Sequence, residues 1–320
     1  MNPVVEMENV VKYYDQKRPV GLFRRETHRV YALNGVSFSL EKGDLCAYAG
    51  PNGAGKSTTF KLLSGMLSPQ EGKVSAFGAN PAEHRIAMMQ KTGVLFGNRS
   101  ELWWDHPVRT SFLWKKQVWG IDDRAYAENL GFLKELLDLD EIWTVFAREL
   151  SLGQRMRAEL CGSLLHEPAL LFLDEPTIGL DAVSKLKLRA FLREENASRG
   201  TTILLTTHDM EDMLALCRRV LVLGHGRLLY DGALDALLRR YDTVHVLRCA
   251  YEGPCDLSGL PQGVALERDG DGYVLTFAPA EVETGEVLSR VLACGRLREM
   301  TLKEQNVDQL IARMYQEMSL

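Results

Sequence analysis

Eight consecutive residues, Gly50-Pro51-Asn52-Gly53-Ala54-Gly55-Lys56-Ser57, fit the spacing G-x-x-x-x-G-K-[ST]. Glycines let a backbone turn so that successive N–H groups point inward and form a nest for an anion. The helical pattern that begins at Lys56 aims its N-terminal end, with its partial positive charge, at the same spot. Lys56 would reach the β- and γ-phosphates of a nucleotide, and the Ser57 hydroxyl would face Mg²⁺. A plain glycine turn ahead of a helix is the bland alternative. The complete motif, placed directly after the short apolar run "DLCAYA", outweighs it, so the loop is expected to hold a nucleoside triphosphate.

Three further groups could act on that ligand. The apolar run "ALLFLDE" ends in Asp174 and Glu175. Burying carboxylates without partners is costly, so both must sit at the open end of a strand. Asp174 is then the acid on the Mg²⁺ side, and Glu175 is placed to polarise an attacking water. "LSLGQ", residues 150–154, puts a serine and a glycine just ahead of the helical "QRMRAELCGSLL", a second helix start suited to an anion. Alone it reads as a helix cap. His208 lies just past the apolar run "TTILLTT", itself read as a buried strand.

The elements that must position these groups alternate. "NVVKYY", "VSFSL" and "DLCAYA" read as strands, with the basic loop "KRPVGLFRRETHR" between the first two. That loop is read as a solvated excursion, with contact to anionic lipid as the alternative. A helix follows the phosphate-binding loop, and "PQEGKV" turns into a strand. Residues 88–166 are mostly helical in pattern, whereas "ALLFLDEP" and "TTILLTTHD" have the continuous apolar character of buried parallel strands. "RVLVLGHGRLLYDG" reads as a hairpin about Gly224-His225-Gly226. After residue 240, "DTVHVLRC" and "VALERDGDGYVLTFAP" read as strands, the latter turning at Asp-Gly, and "VETGEVLSRVLAC" and "NVDQLIARMYQEM" as helices. This is a small α+β appendage, either stabilising or regulatory.

Bulk properties narrow the classes. The chain has 320 residues, 46% hydrophobic and 25% charged, which accommodates a sizeable core and two domains. A net charge of −5 gives no basic excess, so no nucleic-acid partner is expected. No apolar run approaches the ~20 residues that span a bilayer. The opening residues lack the apolar core of a signal peptide, and six cysteines form no C-x-x-C pair. Reduced thiols and residence in the cytoplasm are expected.

The order of phosphate-binding loop, "LSLGQ", paired acids and histidine resembles the ATP-binding cassette (ABC) family over about residues 1–240. The resemblance implies an α/β fold: a RecA-like P-loop core, an antiparallel β subdomain and a helical subdomain at about residues 90–166. The α+β appendage over residues 241–320 is additional. Carried over by position, residues Gly50, Pro51, Asn52, Gly53, Ala54, Gly55, Lys56, Ser57 and Thr58 bind ATP phosphates. Ser57 and Asp174 hold Mg²⁺, Glu175 is the catalytic carboxylate and His208 contacts the γ-phosphate. Tyr14 stacks on adenine, with Tyr13 as the alternative and core packing open for either. The resemblance further implies a head-to-tail dimer, a homodimer in the simplest case. In it Ser151, Gly153, Gln154 and Asp181 (the end of "GLD") complete the opposite subunit's site.

The chain departs from the family pattern at two places. Asn98 stands where a glutamine that contacts Mg²⁺ is usual, and its side chain is shorter by about 1.5 Å. Leu152 replaces the usual glycine of the signature. "SLGQ" with "DEPTIGLD" and "LWWD" resembles the branch of ATPase subunits serving exporters, drug and antibiotic efflux among them, whose membrane subunits are separate chains. That implies ATP hydrolysis coupled to transport, integral membrane permease partners, and a peripheral place on the cytoplasmic face of the inner membrane. Trp103 and Trp104 are either core aromatics or part of a groove for a short helix of the membrane subunit. The competing reading is a soluble ABC ATPase acting on nucleic acid or ribosomes.

Overall fold

The computed structural model describes residues 3–19, 25–97, 100–207, 209–240, 245–279 and 281–304. The chain divides into two compact units, Met1–Gly232 and Ala233–Leu320.

In the first unit, β1 (Val5–Pro19) and β2 (Arg25–Leu40) pair antiparallel along their whole length. The basic stretch expected as a loop is therefore mostly ribbon, paired from Pro19↔Arg25 inward. Its sequence, rich in charge, shows no hydrophobic alternation, which is why it reads as loop. Next, β3 (Leu45–Ala49) runs into α1 (Lys56–Leu63), and β4 (Glu71–Ala76) joins the other edge of β1. A short α2 (Arg85–Met89) precedes β5 (Thr92–Leu95). The helices α3 (Val108–Trp119), α4 (Asp123–Leu136) and α5 (Leu152–Leu164) form the helical part. This part begins near residue 108 rather than 90, because the buried run "TGVL" is claimed by the parallel sheet. The unit closes with β6 (Leu170–Asp174), α6 (Ala182–Arg199), β7 (Thr202–Thr206), α7 (Met210–Leu216), β8 (Arg219–Gly224) and β9 (Arg227–Ala233).

The larger sheet has the order β5-β6-β7-β3-β8-β9, and the pairs β5·β6, β6·β7, β7·β3 and β3·β8 are parallel. One face packs against the antiparallel sheet β2-β1-β4: Cys46, Tyr48, Leu170, Phe172, Leu204 and Leu221 meet Val5, Met7, Val36 and Phe38. Aromatic rings run through this layer, Phe38 to Tyr48 to Phe60 to Phe172, with centroid spacings of 5.8, 6.3 and 5.6 Å. The Tyr48 hydroxyl shares a hydrogen bond with Thr59 Oγ1 at 2.9 Å, tying β3 to α1 directly beneath the phosphate-binding loop. Phe172→Ala should therefore cost about 3–5 kcal/mol. Urea unfolding checks this, and a loss below about 1 kcal/mol would refute the ring stack as core.

The second unit begins at Ala233, eight residues before the expected start at residue 241, and its first helix, α8 (Leu234–Arg240), follows β9 directly. It continues with β10 (His245–Tyr251), β11 (Ala265–Asp269), β12 (Gly272–Phe277), α9 (Thr284–Ala293) and β13 (Leu297–Glu304). The strand order is β11-β12-β10-β13, with every pairing antiparallel. That is the split βαβ arrangement, with residues 252–264 irregular where a first helix would stand. Val287 and Val291 of α9 cover Leu247, Tyr251, Leu275 and Phe277. The helix expected over "NVDQLIARMYQEM" lies outside the described residues.

Candidate functional site

Strand β3 is buried over its last four residues and delivers the chain to Gly50. Two glycines of the loop are sterically required. A Cβ on Gly50 would lie 2.4 Å from the Leu223 carbonyl oxygen, and one on Gly55, at φ +113°, 2.4 Å from that of Ala32. The loop is pinned from Ala54 N–H to the Pro51 carbonyl at 3.1 Å and from Gly226 N–H to the Ala54 carbonyl at 3.1 Å. Gly55 caps α1 without a side-chain hydrogen bond, and the first turn carries no acid, so its N–H groups and dipole face the cavity. Lys56 is only 9% exposed, and its Nζ donates to the Gly50 carbonyl at 2.6 Å and the Pro51 carbonyl at 3.1 Å. The ammonium is thus held inside the curl of the loop.

A cavity of 440 Å³ opens over this nest. Asn52, Gly53, Gly55, Lys56, Ser57 and Thr58 line one side, Asp174 and Glu175 the other. Ser57 Oγ donates to Asp174 Oδ2 at 3.3 Å, so the hydroxyl and the carboxylate converge. Asp174 Oδ1 accepts from Thr206 Oγ1 at 2.6 Å. The parallel register that sets Asp174 beside Thr206 makes this contact. Glu175 has φ +53°, a left-handed backbone unusual for a residue with a side chain. Its N–H donates to Thr206 twice, to the carbonyl at 3.2 Å and to Oγ1 at 3.0 Å.

Other expected residues lie elsewhere. Gly50, Pro51 and Ala54 form the back of the loop and not the cavity wall. Neither Tyr14 nor Tyr13 lines the cavity: Tyr14 is 41% exposed, and Tyr13 packs edge-on to Tyr31 at 5.6 Å, under the Arg29 guanidinium. Ala32 of β2 takes the wall position instead, because the ribbon carries the tyrosines along the strand. Asn98 and His208 lie outside the described residues. Just past Asn98, Glu101 pairs with the buried Lys115 of α3 at 2.5 Å.

Ser151, Gly153, Gln154 and Asp181 are also absent from the cavity lining. Ser151 and Gln154 form a capping box at the start of α5: Ser151 Oγ accepts from Gln154 N–H at 3.3 Å, and Gln154 Oε1 from Ser151 N–H at 2.9 Å. Asp181 caps α6, where hydrogen bonds from the Ser184 hydroxyl and N–H hold its carboxyl below the ordinary carboxylate range. The two helix starts meet at glycine: a Cβ on Gly153 would lie 2.3 Å from the Gly179 carbonyl oxygen. One anion-binding cavity and a second, separate, solvent-facing helix start therefore coexist in the chain. Sequence reasoning missed Thr206, Gly179 and Ile178, the last a cavity-wall residue that is 44% exposed.

These features have counterparts in known proteins. The family model described as "ABC transporter" matches residues 33–178. The chain is 34% identical over 267 residues to "Nod factor export ATP-binding protein I" of Rhizobium sp. (strain N33), a match covering 83% of this chain and 87% of the relative. It is 32% identical over 232 residues to "Probable multidrug ABC transporter ATP-binding protein YbhF" of Escherichia coli (strain K12), covering 72% of this chain and 38% of that one. A solved structure described as "Structure of ATP binding subunit of ABC transporter" superposes with a TM-score of 0.65 at 25% identity, over 74% of this chain and 93% of the other.

Proposed function

The chain belongs to the ABC transporter ATP-binding family, and on that premise we propose that it is the ATP-hydrolysing subunit of an exporter whose pore is built by other chains. It binds ATP and hydrolyses it. The observation that carries the finer reading is the split arrangement: Lys56, Ser57, Asp174 and Glu175 share one cavity, while Ser151, Gly153 and Asp181 stand outside it. A site divided in this way is completed when a second copy packs head to tail. Ser151 and Gly153 of each copy then reach the γ-phosphate held by the other.

Within each half, Lys56 and the N–H groups of α1 bind the phosphates. The Ser57 hydroxyl and one carboxylate, Asp174, suit Mg²⁺, which takes few protein ligands and completes its shell with phosphate and water. Bound there, Mg²⁺ would supply positive charge that offsets the charge of the phosphates. Glu175 accepts a proton from the attacking water, and His208 and Asn98 complete the surroundings of the γ-phosphate and metal. On this reading Tyr14, which does not line the phosphate cavity, would meet the adenine beyond it.

Among the described residues no helix is long and apolar enough to cross a membrane, and on the exporter reading the pore belongs to partner chains. The tryptophans are offered as the surface for such a partner: Trp103, Trp104 and Trp114 are 38%, 54% and 44% exposed, with Trp103 and Trp114 rings 5.6 Å apart. Exposed tryptophans in a cluster favour an interface, here with a short helix of the membrane subunit at the cytoplasmic face. The second compact unit is read as either a stabilising extension or a regulatory one.

The test is purification of this chain from detergent-solubilised native membranes, followed by mass spectrometry of what accompanies it. A polytopic membrane protein in stoichiometric amount is the expected result. Ribosomal proteins or nucleic acid, with nothing from the membrane, would replace the exporter reading by that of a soluble ABC ATPase.

A further inference from the structure

One carboxylate outside the cavity ties together the two segments that frame it. Asp212 of α7 is 1% exposed. Its Oδ2 accepts from Thr177 Oγ1 at 2.5 Å and from Thr207 Oγ1 at 3.1 Å, and its Oδ1 from Arg189 Nε of α6 at 2.6 Å. Thr177 lies two residues beyond Glu175. Thr207 directly follows Thr206, whose carbonyl and hydroxyl hold the Glu175 N–H. The Glu175 backbone is left-handed, and a side-chain-bearing residue stays there only where its surroundings over-determine it. Thr206 fixes that backbone on the N-terminal side. Asp212 fixes it on the C-terminal side through Thr177, and reaches the Thr206 side through Thr207.

We propose that Asp212 is a positioning residue that holds Glu175 in register with the end of β7 through Thr177 and Thr207. This rests on the reading of Glu175 as the group that polarises the attacking water. Asp212 does not line the cavity; it acts by locking the backbone on either side of the reacting carboxylate.

The purely structural alternative is that Asp212 only clamps α7 to α6. Arg189 supplies that clamp, since it also reaches Glu211 at 3.2 Å and Asp209 at 3.6 Å. The two jobs fall on different oxygens, because Arg189 Nε and the threonines bond opposite sides of the carboxylate. Removing the Thr177 hydroxyl therefore separates them.

The experiment compares Thr177→Val, Thr207→Val, Thr177→Ser and Glu175→Gln in the full chain with its membrane partner, reading kcat, ATP affinity and melting temperature. A misplacement of about 1 Å at a reacting group costs up to roughly a hundredfold in rate. Thr177→Val and Thr207→Val should each lower kcat by about tenfold to a hundredfold, with ATP affinity changed less than about twofold. Thr177→Ser, which restores the hydroxyl, should return kcat to near the wild-type value. Wild-type kcat in Thr177→Val, a failure of Thr177→Ser to rescue, or a kcat loss matched by an equal loss of affinity overturns the proposal. Glu175→Gln separates the two levels. If it is inactive while Thr177→Val is normal, only the positioning role falls; if it turns over normally, the role of Glu175 falls too, and Asp212 with it.

Discussion

Glu175→Gln should lower ATP turnover by roughly 10²- to 10⁴-fold, the usual contribution of a positioned base, while ATP still binds. The glutamine amide has nearly the shape of the carboxylate but cannot take a proton from water. The backbone that orients it is unaffected, since the Glu175 N–H bonds to Thr206 do not involve the side chain. The phosphate contacts at Lys56, Ser57 and the start of α1 also remain, so affinity should change little. With binding intact and hydrolysis stopped, ATP cannot be discharged, and two copies should stay closed around it. Size-exclusion chromatography with ATP and Mg²⁺ should then show a stable dimer where the wild type shows exchange. Undiminished steady-state turnover would remove Glu175 from the base role and point to another group beside Asp174.

How much of this was legible beforehand depended on whether a feature is contiguous or formed by register. The phosphate-binding loop can be read because all its parts lie within eight residues, and two of its glycines, Gly50 and Gly55, have a local steric reason. Asp174 and Glu175 can be read because acids ending a buried apolar run demand an explanation. Thr206 could not be read: it meets Asp174 across 32 residues of chain, and only the β6–β7 pairing aligns them. Asp212 is hidden for the same reason, as one acid among several in "HDMEDM", distinguished by burial alone. The ribbon of β1 and β2 concealed itself because residues 14–16 and 27–29 are exposed and give no alternation of buried and exposed positions. The edge strand β13 escaped because its apolar residues, Leu297, Met300 and Leu302, fit neither a strict period of two nor a helix.

Lys56→Ala should weaken ATP binding by about 10²- to 10⁴-fold, if the ammonium makes two charge-assisted hydrogen bonds to phosphate worth about 1.5–3 kcal/mol each. The position allows that much because the cation is largely withdrawn from water, at 9% exposure, and bulk solvent screens it weakly. It is held at the Gly50 and Pro51 carbonyls, on the same loop whose N–H groups face the cavity. The variant loses that cation but keeps the N–H groups of α1, so residual affinity measures what the backbone nest supplies by itself. Lys56→Arg sharpens the comparison, since it preserves charge but replaces a compact ammonium with a planar fork that the enclosed loop does not match. Isothermal titration with ATP and with ADP checks both variants. If Lys56→Ala binds ATP as tightly as the wild type, the phosphates do not lie in this loop, and the cavity between Lys56 and Asp174 is not the nucleotide site. If Lys56→Arg fails as Lys56→Ala does, geometry rather than charge sets the affinity, as a preorganised nest closed around one buried cation requires.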